Sequence, residues 1–296
     1  VKIIPPFRLV SLLSSLFFCA VLIAGCSKTV PTSEETSLKE LHTVISYNIK
    51  NDYDKTGPNN WSERKQQMGL MLKEWSPTFL GIQEALENQV SFLAEALPNH
   101  AVIGVGRDDG KQAGEFCAIY YDTTQYRLIE TKTIWLSTTP NQVSTGWDAA
   151  LPRIATFGLF INKSTNDSLL VCNTHFDHIG AEARAESAKL IIKEMAQSSV
   201  TKQLLLGDFN ATLDQQPIQR ITSVLSNAQA LSSTTNTGPL GTFNGFNKKH
   251  DNRIIDFIFL GGFPENTVTD YQHIDPRLTN GNFVSDHFAV MAKITF

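Results

Sequence analysis

The sequence predicts an α/β fold over residues 41–296, and three observations predict it. Strand and helix patterns alternate at the start of this span, as in α/β chains. A β-rich middle follows, its strands separated by turn residues as in an antiparallel meander. The clearest helical pattern, Ala181–Ala196, then leads into Leu204-Leu205-Leu206, which reads as a short buried strand. No internal repeat or linker interrupts the span, so one domain is expected.

Residues 1–25 read instead as a lipoprotein signal peptide. Lys2 and Arg8 are their only charges, and residues 9–24 are almost all apolar, broken by serines. Leu22-Ile23-Ala24-Gly25-Cys26 ends the run in small residues and resembles the bacterial lipobox, with Cys26 as the lipidated residue. By resemblance to known sorting patterns, Ser27 after that cysteine points to the outer membrane of a Gram-negative cell. The expectation is therefore an exported protein whose membrane contact is its lipid anchor only. An uncleaved membrane anchor is the alternative, for which the apolar run is short. Residues 26–40 are polar, carry Pro31 and read as a tether.

The formal charge is −4, and loss of Lys2 and Arg8 makes it more negative. No basic run appears, so the electrostatic footprint of a tight nucleic-acid binder is missing. Of four cysteines, Cys19 lies in the signal and Cys26 is assigned to lipid. Cys117 and Cys172 sit in apolar strand-like runs. Buried free thiols are expected, although an exported compartment would permit a disulfide.

Within the domain, residues 43–48 form the first expected strand, with Asn48 at its exit. Residues 59–74 read as a helix with Trp61, Met68, Leu72 and Trp75 along one side, Asn60 or Ser62 near its start, and Pro77 beyond its end. Residues 79–84 are a strand with Glu84 at its exit, and 88–97 a short helix stopped by Pro98. The expected middle strands are 102–106, 116–121, 127–136, 153–161 and 169–174. Asp108-Asp109-Gly110, Asp122-Thr123-Thr124, Thr139-Pro140-Asn141 and Asn166-Asp167 separate them. In the long helix Ala185, Ala188, Leu190, Ile191 and Met195 recur on and around one face. After the leucine strand come a helix at 218–225, a polar loop at 232–240 and strands at 254–260 and 288–294.

Polar residues collect where these strands end. Gly207 breaks the leucine strand, and Asp208 and Asn210, one residue apart, share a face of extended chain. Asn48, Glu84, His175 with Asp177 and His178, Asp256, and Asp286-His287 occupy comparable places. Carboxylates and amide oxygens suit a hard cation such as Mg²⁺ or Mn²⁺, while imidazoles can touch phosphate or carry protons. There is no Cys/His spacing for zinc, no glycine-rich phosphate loop before a helix and no Gly-x-Ser-x-Gly.

Six motifs, in order over about residues 41–296, resemble the endonuclease/exonuclease/phosphatase superfamily. They are Ser46-Tyr47-Asn48, Gln83-Glu84, Asn173-Thr174-His175, Gly207-Asp208-Phe209-Asn210, Ile255-Asp256-Phe257 and Ser285-Asp286-His287. That superfamily includes DNase I, abasic-site endonucleases, inositol polyphosphate 5-phosphatases, bacterial sphingomyelinases and nocturnin-type deadenylases. The resemblance implies a four-layered α/β sandwich: two mostly antiparallel sheets face to face, with helices outside. It implies that Glu84 is the principal metal ligand, that Asp286 binds the metal directly or through water, and that Asn48 positions the metal or a phosphate oxygen. Asp208 matches the general base, and Asn210 would hold the attacking water or a phosphoryl oxygen. His287, oriented by Asp256, would donate to a phosphoryl oxygen. His175 matches a second phosphate-contacting histidine, with Glu115 the candidate to orient it.

Other residues keep two readings. Asp177 and His178 are expected to cap the long helix or bind each other rather than to act. Arg153 could support the site or pair with an internal carboxylate. Arg107 could be part of a hairpin turn or lie near phosphate. Trp147 and Phe243 could stack on a base or sugar or plug the core. The Gly-Glu-Phe, Trp-Leu-Ser, Gly-Trp-Asp and Gly-Thr-Phe phrases resemble an uncharacterised bacterial branch of the superfamily. No long basic or hydrophobic insertion of the membrane-dipping sphingomyelinase kind is present. The expected function is Mg²⁺- or Mn²⁺-dependent hydrolysis of a phosphodiester, nucleic acid or nucleotide, by in-line water attack. A phosphomonoesterase for sugar, inositol or lipid phosphates is the enzyme alternative. A catalytically inactive binding lipoprotein is the alternative of another class, against which the intact polar set speaks. A monomer is expected.

Overall fold

A strand that is apolar on both faces needs cover on both sides, and several strands here are of that kind. In the computed structural model, which describes residues 40–249 and 251–295, β8 (Gln203–Asp208) turns Leu204 and Leu206 one way and Leu205 the other. Leu204 and Leu206 join Val44, Phe79, Phe160, Ile258 and Val290 in a core between two sheets. Leu205 joins Cys172, Phe257 and Phe259 under α3 (Ala181–Ala196) and α4 (Gln216–Thr222). On the far side, Ile45, Leu80 and Ile82 pack against α1 (Trp61–Trp75) and α2 (Glu87–Ala96). Three apolar seams thus separate four layers: helices, sheet, sheet, helices.

The first sheet runs β11 (Val268–Ile274), β12 (Ala289–Thr295), β1 (Leu41–Asn48), β2 (Phe79–Ala85), β4 (Phe116–Asp122), β3 (His100–Ile103). The second runs β5 (Tyr126–Trp135), β6 (Ile154–Asn162), β7 (Ser168–His175), β8, β10 (Asp256–Gly261), β9 (Ser226–Asn227). A short α5 (Ala228–Leu231) follows β9. Two neighbouring pairs are parallel, β1 with β2 and β7 with β8, and the chain crosses between their members through α1 and α3.

The expected meander holds for β5, β6 and β7 but not for β3 and β4, which pair within the first sheet. The turn at Asp122-Thr123-Thr124 reads as a hairpin, yet its backbone closes on the first sheet. Asp122 N–H donates to Thr78 O and Thr123 N–H to Asn99 O. Strand β11 was not expected. A register shift between Val268 and Asp270 breaks its alternation, so the period-two signal is lost. Asn60 caps α1, its side chain accepting from Glu63 N–H at 3.2 Å. Cys117 and Cys172 are buried free thiols, and burial pushes Cys117 up to about 12. The signal, Cys26 and all of the tether but Glu40 fall outside the described residues. No helix among the described residues is long and apolar enough to cross a membrane.

One polar contact fastens the sheets to each other. Gln83 Nε2 on β2 donates to Asn173 Oδ1 on β7 at 2.7 Å. Asn173 Nδ2 donates to the carbonyls of Ile82 at 2.9 Å and Ala118 at 2.8 Å. Gln83 and Asn173 are fully buried. Gly81 makes room, since a Cβ there would lie 2.9 Å from Asn173 Cγ. Asn173→Leu should therefore cost about 2–4 kcal/mol, because it strands the Gln83 amide among poorer acceptors. Urea unfolding measures this, and a loss below about 1 kcal/mol would show that the bridge is not a clamp.

Candidate active site

The topology delivers the polar strand ends to one rim. Parallel strands leave a sheet at the edge where antiparallel neighbours enter it. Asn48 ends β1, His175 ends β7 and Asp208 ends β8. Asp256 begins β10 directly across from Asp208, and His175 also stands in register with Asp208. His287 lies just ahead of β12, which runs antiparallel to β1.

Asp208 is the centre of this rim. Its Oδ2 accepts from Asn48 Nδ2 at 3.0 Å and lies 3.5 Å from His175 Nε2 and 3.7 Å from His287 Nε2. Its Oδ1 accepts from Asn210 N–H at 2.9 Å. Asn210 has a left-handed backbone (φ 47°), which asparagine tolerates. Its amide turns back to His175 Nε2 and Phe176 O, each at 3.0 Å. Behind His287, Asp256 Oδ2 meets Nδ1 at 2.9 Å. Thr242 of the Gly-Thr-Phe phrase holds that carboxylate's strand, its Oγ1 accepting from Ile255 N–H and Asp256 N–H. Phe243 is half-buried and packs edge-on against the His287 ring at 5.0 Å.

Burial and the neighbouring Asp256 push Asp208 up to about 7. Burial opposes charge on His287, yet Asp256 and Asp208 beside it together raise it to about 10. Burial, helped by Arg153 and Arg107, holds His175 well below its ordinary value, so it is neutral. One imidazole is thus kept charged and the other uncharged, a few ångströms apart.

Glu84 and Asp286 form the other half of the rim. Glu84 has a left-handed backbone (φ 64°), a strained state for a long side chain. Its carboxylate accepts from Asn48 Nδ2 at 3.1 Å and from Asn51 N–H and Nδ2 at 3.3 and 2.9 Å. Lys50 Nζ stands between the two acids, 3.5 Å from Glu84 Oε2 and 3.8 Å from Asp286 Oδ2. Burial raises Asp286, and Glu84 adds to that against the pull of His287. Two acids sharing a single ammonium, ringed by amides, make an oxygen-donor set that fits a hard cation. Asp208, Asp256 and His287 also offer ligand atoms within 4.8 Å of one another and could hold a metal. Asp256 and Asp208 beside His287 favour its protonated form, in which it is a donor rather than a ligand, whereas Glu84 and Asp286 offer carboxylate oxygens.

Arg64 was given no role by the sequence. It is fully buried in the first turn of α1 and donates to the carbonyls of Ile49 at 2.7 Å, Val284 at 2.9 Å and Lys50 at 3.0 Å. It therefore ties the chain after Asn48 to the chain before Asp286. Lys50 and Asn51 were likewise missed, although Asn48-Ile49-Lys50-Asn51 is a compact polar phrase at a strand exit.

The reading of Glu115 needs correction. Its carboxylate engages Arg107 Nη1 at 2.5 Å and Asn51 Nδ2 at 3.0 Å. His175 is met by Asn210 instead, so Asn210 is its orienting group among the described residues. Arg153 does pair with an internal carboxylate, its Nε lying 3.3 Å from Asp177 Oδ2. Asp177 Oδ1 accepts from Ile179 and Gly180 N–H just ahead of α3. The helix itself is capped from afar, Asp148 Oδ1 accepting from Ala183 N–H at 2.7 Å. Trp147 is half-buried in the β5–β6 loop with φ 49°.

Comparison with known proteins agrees with this geometry. No curated protein matches the chain. A mannosyl-6-phosphatase from Bacteroides thetaiotaomicron is 34% identical, with a TM-score of 0.80 over 86% of this chain and 100% of its own. An endonuclease/exonuclease/phosphatase family protein from the same organism is also 34% identical, with a TM-score of 0.80 over 87% of this chain and 98% of its own. The human nocturnin catalytic domain with bound sulfate, 16% identical over 86% of this chain and 92% of its own, shares the fold at a TM-score of 0.65. The family model for the endonuclease/exonuclease/phosphatase family matches residues 45–287. With the whole second sheet and the whole polar rim, from Asn48 to His287, inside that match, the chain belongs to the endonuclease/exonuclease/phosphatase family, whose members are hydrolases acting on phosphoesters.

Proposed function

We propose that this protein is a divalent-metal-dependent phosphoesterase, with a phosphate monoester of a sugar as its first substrate class. The observation that carries the hydrolytic reading is the Asp208–His287–Asp256 arrangement. A carboxylate raised to about 7 lies 3.7 Å from an imidazole whose other nitrogen is held by a second carboxylate. Asp208 accepts a proton from water as the water oxygen attacks phosphorus, and the bond to the leaving oxygen breaks in line. His287, kept protonated and oriented by Asp256, donates to the phosphoryl oxygens as charge builds on them. Asn48, Asn210 and His175 fix the positions of water and phosphate around Asp208. Glu84 and Asp286 would hold Mg²⁺ or Mn²⁺, which would stabilise the negative charge on a phosphoryl oxygen.

The sugar-phosphate preference rests on the end-to-end match to the mannosyl-6-phosphatase. It displaces the phosphodiester that the motifs alone put first. The nucleic-acid reading keeps one observation, the half-buried Phe243 ring beside His287, which could stack on a base. The deciding experiment offers purified protein with Mg²⁺ or Mn²⁺ mannose 6-phosphate, p-nitrophenyl phosphate, its bis ester, DNA and RNA. Turnover of the sugar phosphate well above the diesters is expected, and the reverse order would return the protein to the nucleases.

Asp208→Asn keeps size but removes the proton acceptor, so kcat should fall about 10²–10⁴-fold with little change in KM. A folded variant keeping more than about a tenth of the wild-type rate would remove Asp208 from the role of base. The Asp256→Ala/His287→Ala double variant should be scarcely slower than His287→Ala, since the two act as a unit.

The pH profile has a definite sign. Asp208 must be ionised to accept a proton, so kcat/KM should rise with pH through about 7, or lower once a cation is bound. His287 must stay protonated to donate, so the rate should fall again towards about 10. The residual activity of Asp208→Asn should lack the acid limb. Persistence of that limb would assign it to another group.

Chelation should abolish turnover, and Mg²⁺ or Mn²⁺ should restore it. Glu84→Gln should chiefly raise the metal concentration needed, as one charged oxygen is lost. Full activity after exhaustive EDTA treatment would contradict the proposal.

A further inference from the structure

Two arginines beside His175 have no part in the steps above. Arg107 and Arg153 are 5% and 4% exposed. With His175, Glu115 and Cys117 they line a cavity of about 10 Å³, room for a single oxygen atom. A carboxylate engages one edge of each guanidinium: Glu115 at Arg107 Nη1, 2.5 Å, and Asp177 at Arg153 Nε, 3.3 Å. Arg153 Nη2 also meets His178 Nδ1 at 3.0 Å. That leaves Arg153 Nη1 and Arg107 Nε buried without a hydrogen-bond partner. The nearest acid to Arg107 Nε is Asp108 Oδ1, at 3.8 Å, too far to accept. A buried N–H with no acceptor costs about 1–3 kcal/mol. Two on residues that line one cavity ask for an oxygen from outside the chain.

The surrounding sequence is built to hold both arginines in place. Trp135 Nε1 donates to Arg107 O at 2.7 Å, and Leu136 N–H donates to Arg153 O at 2.7 Å. One strand end thus fixes the backbones of both. The Trp-Leu-Ser phrase supplies these two anchors and the Gly-Glu-Phe phrase supplies Glu115. Gly114 suits that place because its backbone takes φ +82°, a conformation that other residues rarely adopt. Two phrases that the hydrolytic steps leave unexplained, Trp-Leu-Ser and Gly-Glu-Phe, therefore converge on the arginine pair. His175, which borders the cavity, lies 3.5 Å from Asp208 Oδ2, so only one imidazole separates the pair from the proposed base.

We propose that Arg107 and Arg153 form a subsite for the third non-bridging oxygen of a phosphate monoester, selecting doubly charged terminal phosphates over internal diesters. This rests on the phosphoesterase reading above and names what its site prefers. A diester carries two non-bridging oxygens and one charge. A monoester carries a further oxygen and a second charge, for which paired guanidinium donors are suited.

Arg107→Lys and Arg153→Lys test the subsite. Each keeps the positive charge opposite its carboxylate, so folding is preserved, but loses the forked second donor. With Mg²⁺ present, kcat/KM is measured on p-nitrophenyl phosphate and on bis(p-nitrophenyl) phosphate. The monoester-to-diester ratio should fall about 10–100-fold in each variant, the worth of a hydrogen bond to a charged group. Calorimetric titration with inorganic phosphate should show a matching loss of affinity. If wild-type protein hydrolyses neither ester, the hydrolytic reading fails, and the phosphate titration still decides the subsite. An unchanged ratio, or phosphate affinity the same in wild type and both variants, would overturn the proposal. A loss confined to sugar phosphates, with p-nitrophenyl phosphate and inorganic phosphate unaffected, would mark a hydroxyl subsite and overturn it equally.

Discussion

The hydrogen bond between Gln83 and Asn173 is the constraint on which the rest depends. It joins two sheets whose facing surfaces are largely apolar, at 2.7 Å and out of reach of water. Sheets packed only through Leu204, Leu206, Ile258 and Val290 could slide, because apolar contact has no direction. A buried amide pair has one satisfied position and penalises every other. The rim inherits this precision. Asn48 comes from the first sheet and Asp208 from the second, yet they meet at 3.0 Å. Gly81 belongs to the same constraint, since a Cβ there would strike Asn173 across the sheets.

Fixing the sheets allows the rim to hold groups in states they would otherwise leave. Glu84, Lys50 and Asn210 all have positive φ, and strain of this kind costs about 1–3 kcal/mol per residue away from glycine. Arg64 supplies part of the counterweight. Its guanidinium binds four carbonyls, those of Ile49, Lys50, Asn59 and Val284, and so ties together the chain on both sides of the Glu84–Asp286 pair. A charged group buried on carbonyls alone is costly in isolation. Here it also faces Tyr47, Asp286, Asp52 and Glu84, which favour its charge although burial prevails. The acids of the rim are thus gathered by cations and amides rather than by one another, which leaves room for a further positive charge between them.

Much of this was legible in the sequence, for identifiable reasons. Side-chain period fixes which leucines of 204–206 face which layer, and strand direction then fixes which ends carry polar groups. Asn48, His175, Asp208, Asp256 and His287 could be found this way because each sits at the first or last turn of a strongly apolar run. What could not be read depends on partners distant along the chain. Arg64 resembles any solvent-facing arginine on an amphipathic helix until Val284 arrives, 220 residues later. Glu115 was matched to His175 although Arg107, eight residues away, takes it. The turn after β4 has hairpin chemistry but closes on Thr78 and Asn99, so its residues could not tell which sheet comes next. Strand β11 hides behind a bulge, where periodicity has nothing to say.

Two aspartates show how the same side chain takes different work from its surroundings. Both are about 1% exposed. Burial pushes each towards the neutral form. At Asp177 the backbone N–H groups of Gly180, Ile179 and Ala150, with Arg153, overcome that push and bring it down to about 2. It is fixed as an anion, suited to holding a turn and a guanidinium but too weak a base to take a proton from water. At Asp208 the second carboxylate, Asp256, adds to the burial, and the hydrogen bonds from Asn48 and Asn210 cannot offset both. That leaves it near 7, where a general base is most effective at neutral pH. Asp256 in turn charges His287 at its far nitrogen, so one buried carboxylate drives its neighbours on the rim in the directions that hydrolysis needs. The division of labour among these acids follows from what surrounds each carboxylate, which is why Asp177, two residues beyond His175, stays outside the chemistry.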